Sequence, residues 1–396
     1  MNSICSAPGK LVILGEFAVV EPGCAALVAA MDRHVTVHAR DLGTAGGIRV
    51  SSELTASTVD LDAERSTAPR RIPYVASAVA IAREWLACPQ RGVQLAISSQ
   101  LHDRGVKLGL GSSGAVTVAV IDAVTQAWGA PLDQTTLFRL ALIATARLTT
   151  SGSGVDVAAA VFGGWLYYRS PNRQALVELA AQDLYSAVRA DWPGHVITAV
   201  APPREHLLVG WTGAPAATTA QVARLSRGDE MRDDTVRRFR ESSEDYVAEA
   251  FRLLRPQSGV SPGFSHTGGE LGDLVRQFRT LLSDLDRATG LGIFTERLNA
   301  LCVAAERNGA AAKPSGAGGG DCGIALAGAS VDMAGLLRDW VDAGIQPLNV
   351  GVAAATANTQ KRFSCSAERG NQSDRKARTF GTYPTEMGGA YQDLWQ

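Results

Sequence analysis

Residues 109–114 read Gly-Leu-Gly-Ser-Ser-Gly and run straight into an apolar stretch that reaches residue 128. A helix that starts behind such a loop offers unpaired backbone N–H groups and the positive end of its dipole, an arrangement that favours phosphate. Glycine also lets the backbone come close to an anion. Ser112 and Ser113 add two hydroxyls that can hydrogen-bond phosphate, and one of them could ligate Mg²⁺. The match to Gly-x-Gly-x-x-Gly is weak on its own. A dinucleotide-binding fold needs the motif directly after a strand, whereas about nine residues, Lys107 among them, separate this one from the strand expected over 93–99. The plainer alternative is a glycine-rich turn packed on a helix.

A second loop, Lys313-Pro314-Ser315-Gly316-Ala317-Gly318-Gly319-Gly320, is followed by Asp321, and five of the ten residues 314–323 are glycine. That density points to a loop whose amides wrap an anionic or flat ligand. Two such loops in separate halves of the chain suggest one site between two domains. A third element, 8–16 (PGKLVILGE), puts Lys10 at the start of a strand. The chain has only five lysines against 33 arginines, and Lys10, Lys107 and Lys313 each sit beside a glycine-rich stretch. Asp156 follows Ser-Gly-Ser-Gly-Val and opens a helix of small residues, the position of an N-cap or first-turn carboxylate. The sequence contains no Walker A loop, protein-kinase catalytic loop or His-Glu-x-x-His, and no hydrolase triad is visible.

The elements that must position these residues follow from periodicity. Strands are expected over 11–20, 33–39, 93–99, 165–169, 206–211, 323–328 and 346–352, and helices over 73–87, 133–147, 229–255, 270–288, 294–308 and 331–343, with a glycine loop running into a long helix within 107–128 and another helix starting at 215–225. The second half is placed from Val196 on, giving domains at 1–195 and 196–360. The order of elements suggests an α+β sandwich with helices on one face. His34 and His38 share one strand face without a third ligand nearby and read as structural. Residues 361–396 lack apolar periodicity and read as a disordered tail.

With 46% apolar and 19% charged residues, the 396-residue chain can bury a full core. A net charge of −1 argues against general binding to nucleic acid or an anionic membrane. The six cysteines form no Cys-x-x-Cys pair, which suggests reduced thiols, and no apolar run matches a signal peptide or a membrane helix. A soluble cytoplasmic protein is expected.

PGKLVILGE, KLGLGSSGA and KPSGAGGGDCG, in that order, resemble the three signature motifs of the GHMP small-molecule kinases, over residues 8–323 and onward to about 352. Within that family, 151–173, 209–222 and the intact third motif are most similar to the bacterial phosphomevalonate kinases. Mevalonate kinases carry a Mg²⁺-binding glutamate eleven residues before the aspartate, where this chain has Thr145. Phosphomevalonate kinases usually have glycine where this chain has Val155. The resemblance implies a ribosomal-protein-S5-domain-2-like N-terminal domain and a ferredoxin-like C-terminal domain. It implies ATP and Mg²⁺ as cofactors and phosphomevalonate as the small-molecule partner, in a monomer or homodimer. Another kinase of the family, mevalonate kinase first, is the alternative. A non-catalytic relative is a further one, which loss of Lys10 or Asp156 would mark; both residues are present.

On that resemblance, Lys10 and Asp156 are the expected catalytic residues. Lys10 would bridge the transferring phosphoryl group and the acceptor, and Asp156 would orient Lys10 or the acceptor or sit near Mg²⁺. Lys107 with Gly109, Leu110, Gly111, Ser112, Ser113 and Gly114 would hold ATP, Ser113 being the Mg²⁺ ligand. Ser153, Ser315, Gly316, Ala317, Gly318 and Gly319 would face the acceptor or the γ-phosphate.

Overall fold

The computed structural model describes residues 1–44, 47–53, 58–61, 72–216, 230–255 and 269–356. The first sheet is organised around one long strand. β2 (Ala25–Gly43) pairs along its length with β1 (Asn2–Leu14), and its other edge is shared by β5 (Gly92–Ser99) and β8 (Trp165–Arg169). β3 (Ile48–Ser52), β4 (Val59–Asp60) and β9 (Val196–Val200) complete the order β4-β3-β5-β2-β8-β9. Residues 25–31 of β2 are all buried; α2 (Ser112–Ala127) and α4 (Val155–Phe162) pack on this strand, and α1 (Ile72–Trp85) and α3 (Gln134–Leu148) pack on α2.

Two expectations are corrected in this lobe. The strand placed at 11–20 runs instead from Asn2 to Leu14. Its polar first half is strand because β2 pairs with it from Asn2↔Arg40 onward, and Gly15 turns the chain into the short 3-10 segment Ala18–Val20. Residues 196–200, placed at the start of the second half, pair with β8 from Trp165↔Val200 to Arg169↔Val196 and so belong to the first sheet. The stretch between β5 and the first glycine loop is a small hairpin, β6 (His102–Asp103) with β7 (Val106–Lys107).

The second sheet is antiparallel, in the order β11-β12-β10-β13: Ala311–Pro314, Cys322–Ala327, His206–Trp211 and Gln346–Leu348. The helices α8 (Glu270–Thr289), α9 (Glu296–Arg307) and α10 (Met333–Asp342) cover it, following α5 (Arg173–Gln182), α6 (Leu184–Arg189) and α7 (Glu230–Leu254). Side-chain caps start several helices: Asp133, Asn172, Asp183, Thr295 and Asp332 each accept a first-turn N–H. The lobes are tied twice more. α7 reaches the first sheet through Arg169–Glu244 (2.8 Å) and Arg240–Glu21 (2.6 Å). After β13 the chain returns to β2, where Ala353 N–H donates to Ala30 O (2.9 Å). The expected 361–396 tail, and the expected 215–225 helix from residue 217 on, lie outside the described residues. No described helix is long and apolar enough to cross a membrane.

Candidate active site

Lys10 follows an irregularity in the β1–β2 register at Pro8/Gly9, and such a bulge re-aims the side chains beside it. Its backbone N–H donates to Leu110 O (2.8 Å), which docks the first glycine loop on β1. The half-buried side chain then crosses Gly111: a Cβ there would lie 2.8 Å from Lys10 Cγ and 3.2 Å from Asp156 Cβ. Gly111 is therefore needed for more than its left-handed backbone at φ 78°. It is the place where Lys10 from β1 and Asp156 from α4 meet. Lys10 Nζ ends 3.8 Å from the Cβ position of Gly316, so the lysine spans from the first glycine loop to the second.

Asp156 lies in the first turn of α4, behind the N-cap Gly154. Its Oδ2 accepts the Gly114 N–H (3.1 Å) and its Oδ1 accepts the N–H of Val157 (3.0 Å). Two backbone donors fix the carboxylate at the N-termini of α2 and α4 together, where the dipoles favour a negative charge. Because Gly114 N–H is taken, the amides of Ser112 and Ser113 are those left at the start of α2 for a phosphate. Both serine side chains are half-buried, and neither hydroxyl has a hydrogen-bond partner among the described residues. No cluster of three or more metal-ligating side chains exists among the described residues. A Mg²⁺ ion here would depend on the serine hydroxyls and on ligand oxygens, which suits its habit of binding with nucleotide phosphates. Lys107 is exposed on the β6–β7 hairpin, and its charge reaches Asp321.

The second loop is held by its own polar groups. Ser315, expected to face the ligand, is buried and donates its hydroxyl to Val12 O (2.9 Å). Gly319 N–H donates to Ile293 O (2.8 Å), and a Cβ at Gly318 would lie 2.4 Å from the same carbonyl. Gly316 N–H lies toward the Glu16 carboxylate, and Ala317 is buried. This loop reaches the site with its Gly316 end, against Lys10. Ser153 has its carbonyl tied by Tyr168 Oη (2.8 Å) and Ser170 Oγ (3.3 Å), and its Oγ accepts the Val155 N–H at 3.4 Å.

Reasoning from sequence missed three charged residues. Asp321 packs against Gly109, where a Cβ would stand 2.5 Å from its own Cβ, and it accepts the Ala216 N–H (2.9 Å). Burial pushes its carboxyl up, opposed by that N–H and by Lys10 and Lys107. Glu16 is buried against Lys313, and Arg173 is buried behind the 151–154 loop. The available signal for Asp321 was its place at the end of a glycine run, where it adopts φ 50°. Glu16 lay hidden inside an apolar run, and Arg173 carried none.

Residues 73–164 match the family described as GHMP kinases N terminal domain, and 262–339 match GHMP kinases C terminal. A phosphomevalonate kinase from a Streptomyces species is 41% identical over 366 residues, covering 86% of this chain and 95% of its own. A mevalonate kinase from Thermococcus onnurineus is 29% identical, covering 83% and 90%. Among solved structures, Streptococcus pneumoniae phosphomevalonate kinase in complex with phosphomevalonate and AMPPNP superposes with a TM-score of 0.74 at 27% identity, over 88% of this chain and 99% of that one. With two lobes, three motifs meeting at Lys10, and likeness along nearly the whole described length, the chain belongs to the GHMP kinase family.

Proposed function

We infer that the protein transfers the γ-phosphoryl group of ATP to the phosphate of (R)-5-phosphomevalonate, giving ADP and (R)-5-diphosphomevalonate. The observation that carries the choice of acceptor is the 41% identity with the Streptomyces phosphomevalonate kinase, which extends through both lobes. The same reading has the enzyme act in the cytoplasm as a monomer or homodimer, without nucleic acid or membrane.

The acceptor is a phosphate monoester with a second pKa near 6, so its attacking oxygen is already deprotonated at neutral pH. The chief obstacle is repulsion between two polyanions, and positioning with charge neutralisation carries the reaction. ATP lies with its phosphates on the Ser112 and Ser113 amides, Lys107 beside them. Ser113 Oγ would be the protein group that holds a Mg²⁺ ion arriving with ATP, and the ion would supply neutralisation of phosphate charge. Lys10 Nζ sits between the loops, bridging the transferring phosphoryl group and the acceptor, while negative charge passes from the attacking oxygen to the departing oxygen of ADP. Asp156, fixed by two backbone N–H groups, keeps Lys10 in place. Asp321 faces the nucleotide loop, where burial, by favouring its neutral form, and the two lysines limit its repulsion of phosphate.

The test is ADP release from MgATP with phosphomevalonate, mevalonate, galactose or homoserine as acceptor. Phosphomevalonate is expected to be turned over fastest, with little ATP hydrolysis in the absence of acceptor. Faster turnover of mevalonate would overturn the assignment.

A further inference from the structure

Asp321 ends the second glycine loop and stands at φ 50°, in the left-handed region, directly after Gly318, Gly319 and Gly320. Glycine adopts that conformation freely, whereas a side chain is held there at a cost. Aspartate visits the left-handed region mainly where its short side chain bonds backbone close by in the chain. Asp321 does something else: its Oδ1 accepts the N–H of Ala216 (2.9 Å), 105 positions away. A strained residue kept in place by distant contacts points to a use for its side chain.

The backbone of Asp321 is committed to the same segment. Its N–H donates to Ala214 O (2.7 Å), and its carbonyl accepts both the N–H (3.0 Å) and the hydroxyl (3.1 Å) of buried Thr212. The other side of the carboxylate rests on the first glycine loop: a Cβ at Gly109 would lie 2.5 Å from Asp321 Cγ and 2.8 Å from its Oδ2. The next residue, Cys322, donates its thiol to Leu108 O (3.0 Å). Residues 321 and 322 thus seat 108 and 109 of the first loop on the second sheet. The second loop is fixed at its start by Ser315 on β1, and Asp321 fixes its end.

We propose that Asp321 is a positioning residue for phosphoryl transfer: it pins the first glycine loop to the end of the second and to residues 212–216, and so sets the spacing between the Ser112 and Ser113 amides and the Gly316 end of the second loop. The hydrogen-bonding shape of the side chain does this, not its charge. Transfer needs donor and acceptor aligned across the two loops, where a misplacement of about 1 Å costs about 100-fold in rate. The first loop is held on its own lobe by Lys10 N–H on Leu110 O and by Asp156 on Gly114 N–H, so nucleotide affinity is spared. The proposal rests on the reading of the first loop as the seat of ATP.

The experiment compares the full-length wild type with Asp321→Gly and Asp321→Asn. It reads kcat with the acceptor that the wild type turns over fastest, equilibrium binding of MgADP, and the thermal midpoint. Asp321→Gly relieves the backbone and removes the bond to Ala216, two effects that oppose each other, so its midpoint is expected within a few degrees of the wild type. Its kcat is expected to fall by about 30- to 100-fold, while the Kd for MgADP changes less than about threefold. Asparagine keeps an oxygen for the Ala216 N–H and tolerates this φ, so Asp321→Asn is expected to recover at least about tenfold of that loss. Near-normal kcat in Asp321→Gly would overturn the proposal. An Asp321→Asn as slow as Asp321→Gly would overturn it too, because the charge and not the hydrogen bond would then matter. A kcat that falls only in step with a lowered midpoint would make Asp321 a structural tie and likewise overturn it. MgADP binding keeps the two claims apart. Its absence in the wild type would overturn the reading of the first loop and the proposal with it, whereas binding with near-normal kcat in Asp321→Gly overturns the proposal alone.

Discussion

Lys313 and Glu16 form a wholly buried ion pair, Nζ donating to Oε1, between the strand that leads into the second glycine loop and the turn that follows β1. Lys313 Nζ also donates to Pro314 O (2.8 Å) and lies 5.6 Å from the Phe278 ring centroid, while Glu16 Oε2 has no hydrogen-bond partner. Burial pushes the Glu16 carboxyl up and the Lys313 ammonium down, each opposed by the charge of the other. With Ser315 bonded to Val12 O, the pair fixes the second loop to the strand that carries Lys10.

Removing one partner leaves the other charged and alone in the interior. Glu16→Gln and Lys313→Met are each expected to lower stability by about 3–5 kcal/mol, and the double variant to recover much of that loss. Urea unfolding of the four proteins checks this. Losses that simply add in the double variant would contradict it.

Gly111→Ala is expected to keep the fold but push Lys10 out of line, since the new Cβ would meet Lys10 Cγ at 2.8 Å and the backbone stands at φ 78°. A fall in kcat of about 100-fold, with a thermal midpoint lowered by only a few degrees, is the expected outcome. Near-normal kcat would show that the meeting of Lys10 and Asp156 at Gly111 does not govern turnover. Lys10→Met is expected to cut kcat by at least about 100-fold while raising KM for ATP far less, as for a cation used while charge moves.

The two glycine loops, Lys10 and Asp156 were legible because glycine runs and scarce lysines are local signals. The hydrophobic periods likewise marked α2, which the first loop opens, and α3, α8 and α9. Long-range commitments were not legible. Ser315 looks like a ligand group until its hydroxyl is seen on Val12 O, an acceptor 303 positions away in the chain. The polar half of β1 becomes strand only through β2, and β9 joins the first sheet only through β8. The glycines of the first loop looked like phosphate-facing backbone. Gly109 and Gly111 are also required by Asp321 and by Lys10 with Asp156, charges brought in from three other elements.

His195 makes acid sensitivity predictable. Its Nδ1 donates to Arg169 O (2.7 Å), its ring stacks on Phe138, and burial pushes its pKa from 6.5 down to about 4. Between those values the unfolded chain binds a proton that the folded protein does not. This contribution is therefore fully present above pH 6.5 and is lost as pH falls toward 4, by up to about 3 kcal/mol. Unfolding free energies from pH 4 to 7 should show a shallower slope in His195→Gln than in the wild type. An identical slope would contradict the assignment.

The central claim is that the site works by positioning and charge neutralisation around Lys10, with no protein base removing a proton from the acceptor. The most direct measurement is kcat/KM for phosphomevalonate at saturating MgATP, from about pH 5 to 9, in the wild type and in Asp156→Asn. The asparagine keeps one carbonyl oxygen for two backbone donors, so the plateau is expected to fall. The acidic limb is expected to persist with the same midpoint near pH 6, because it follows ionisation of the acceptor phosphate. Loss of that limb in Asp156→Asn would contradict the account and make Asp156 the general base.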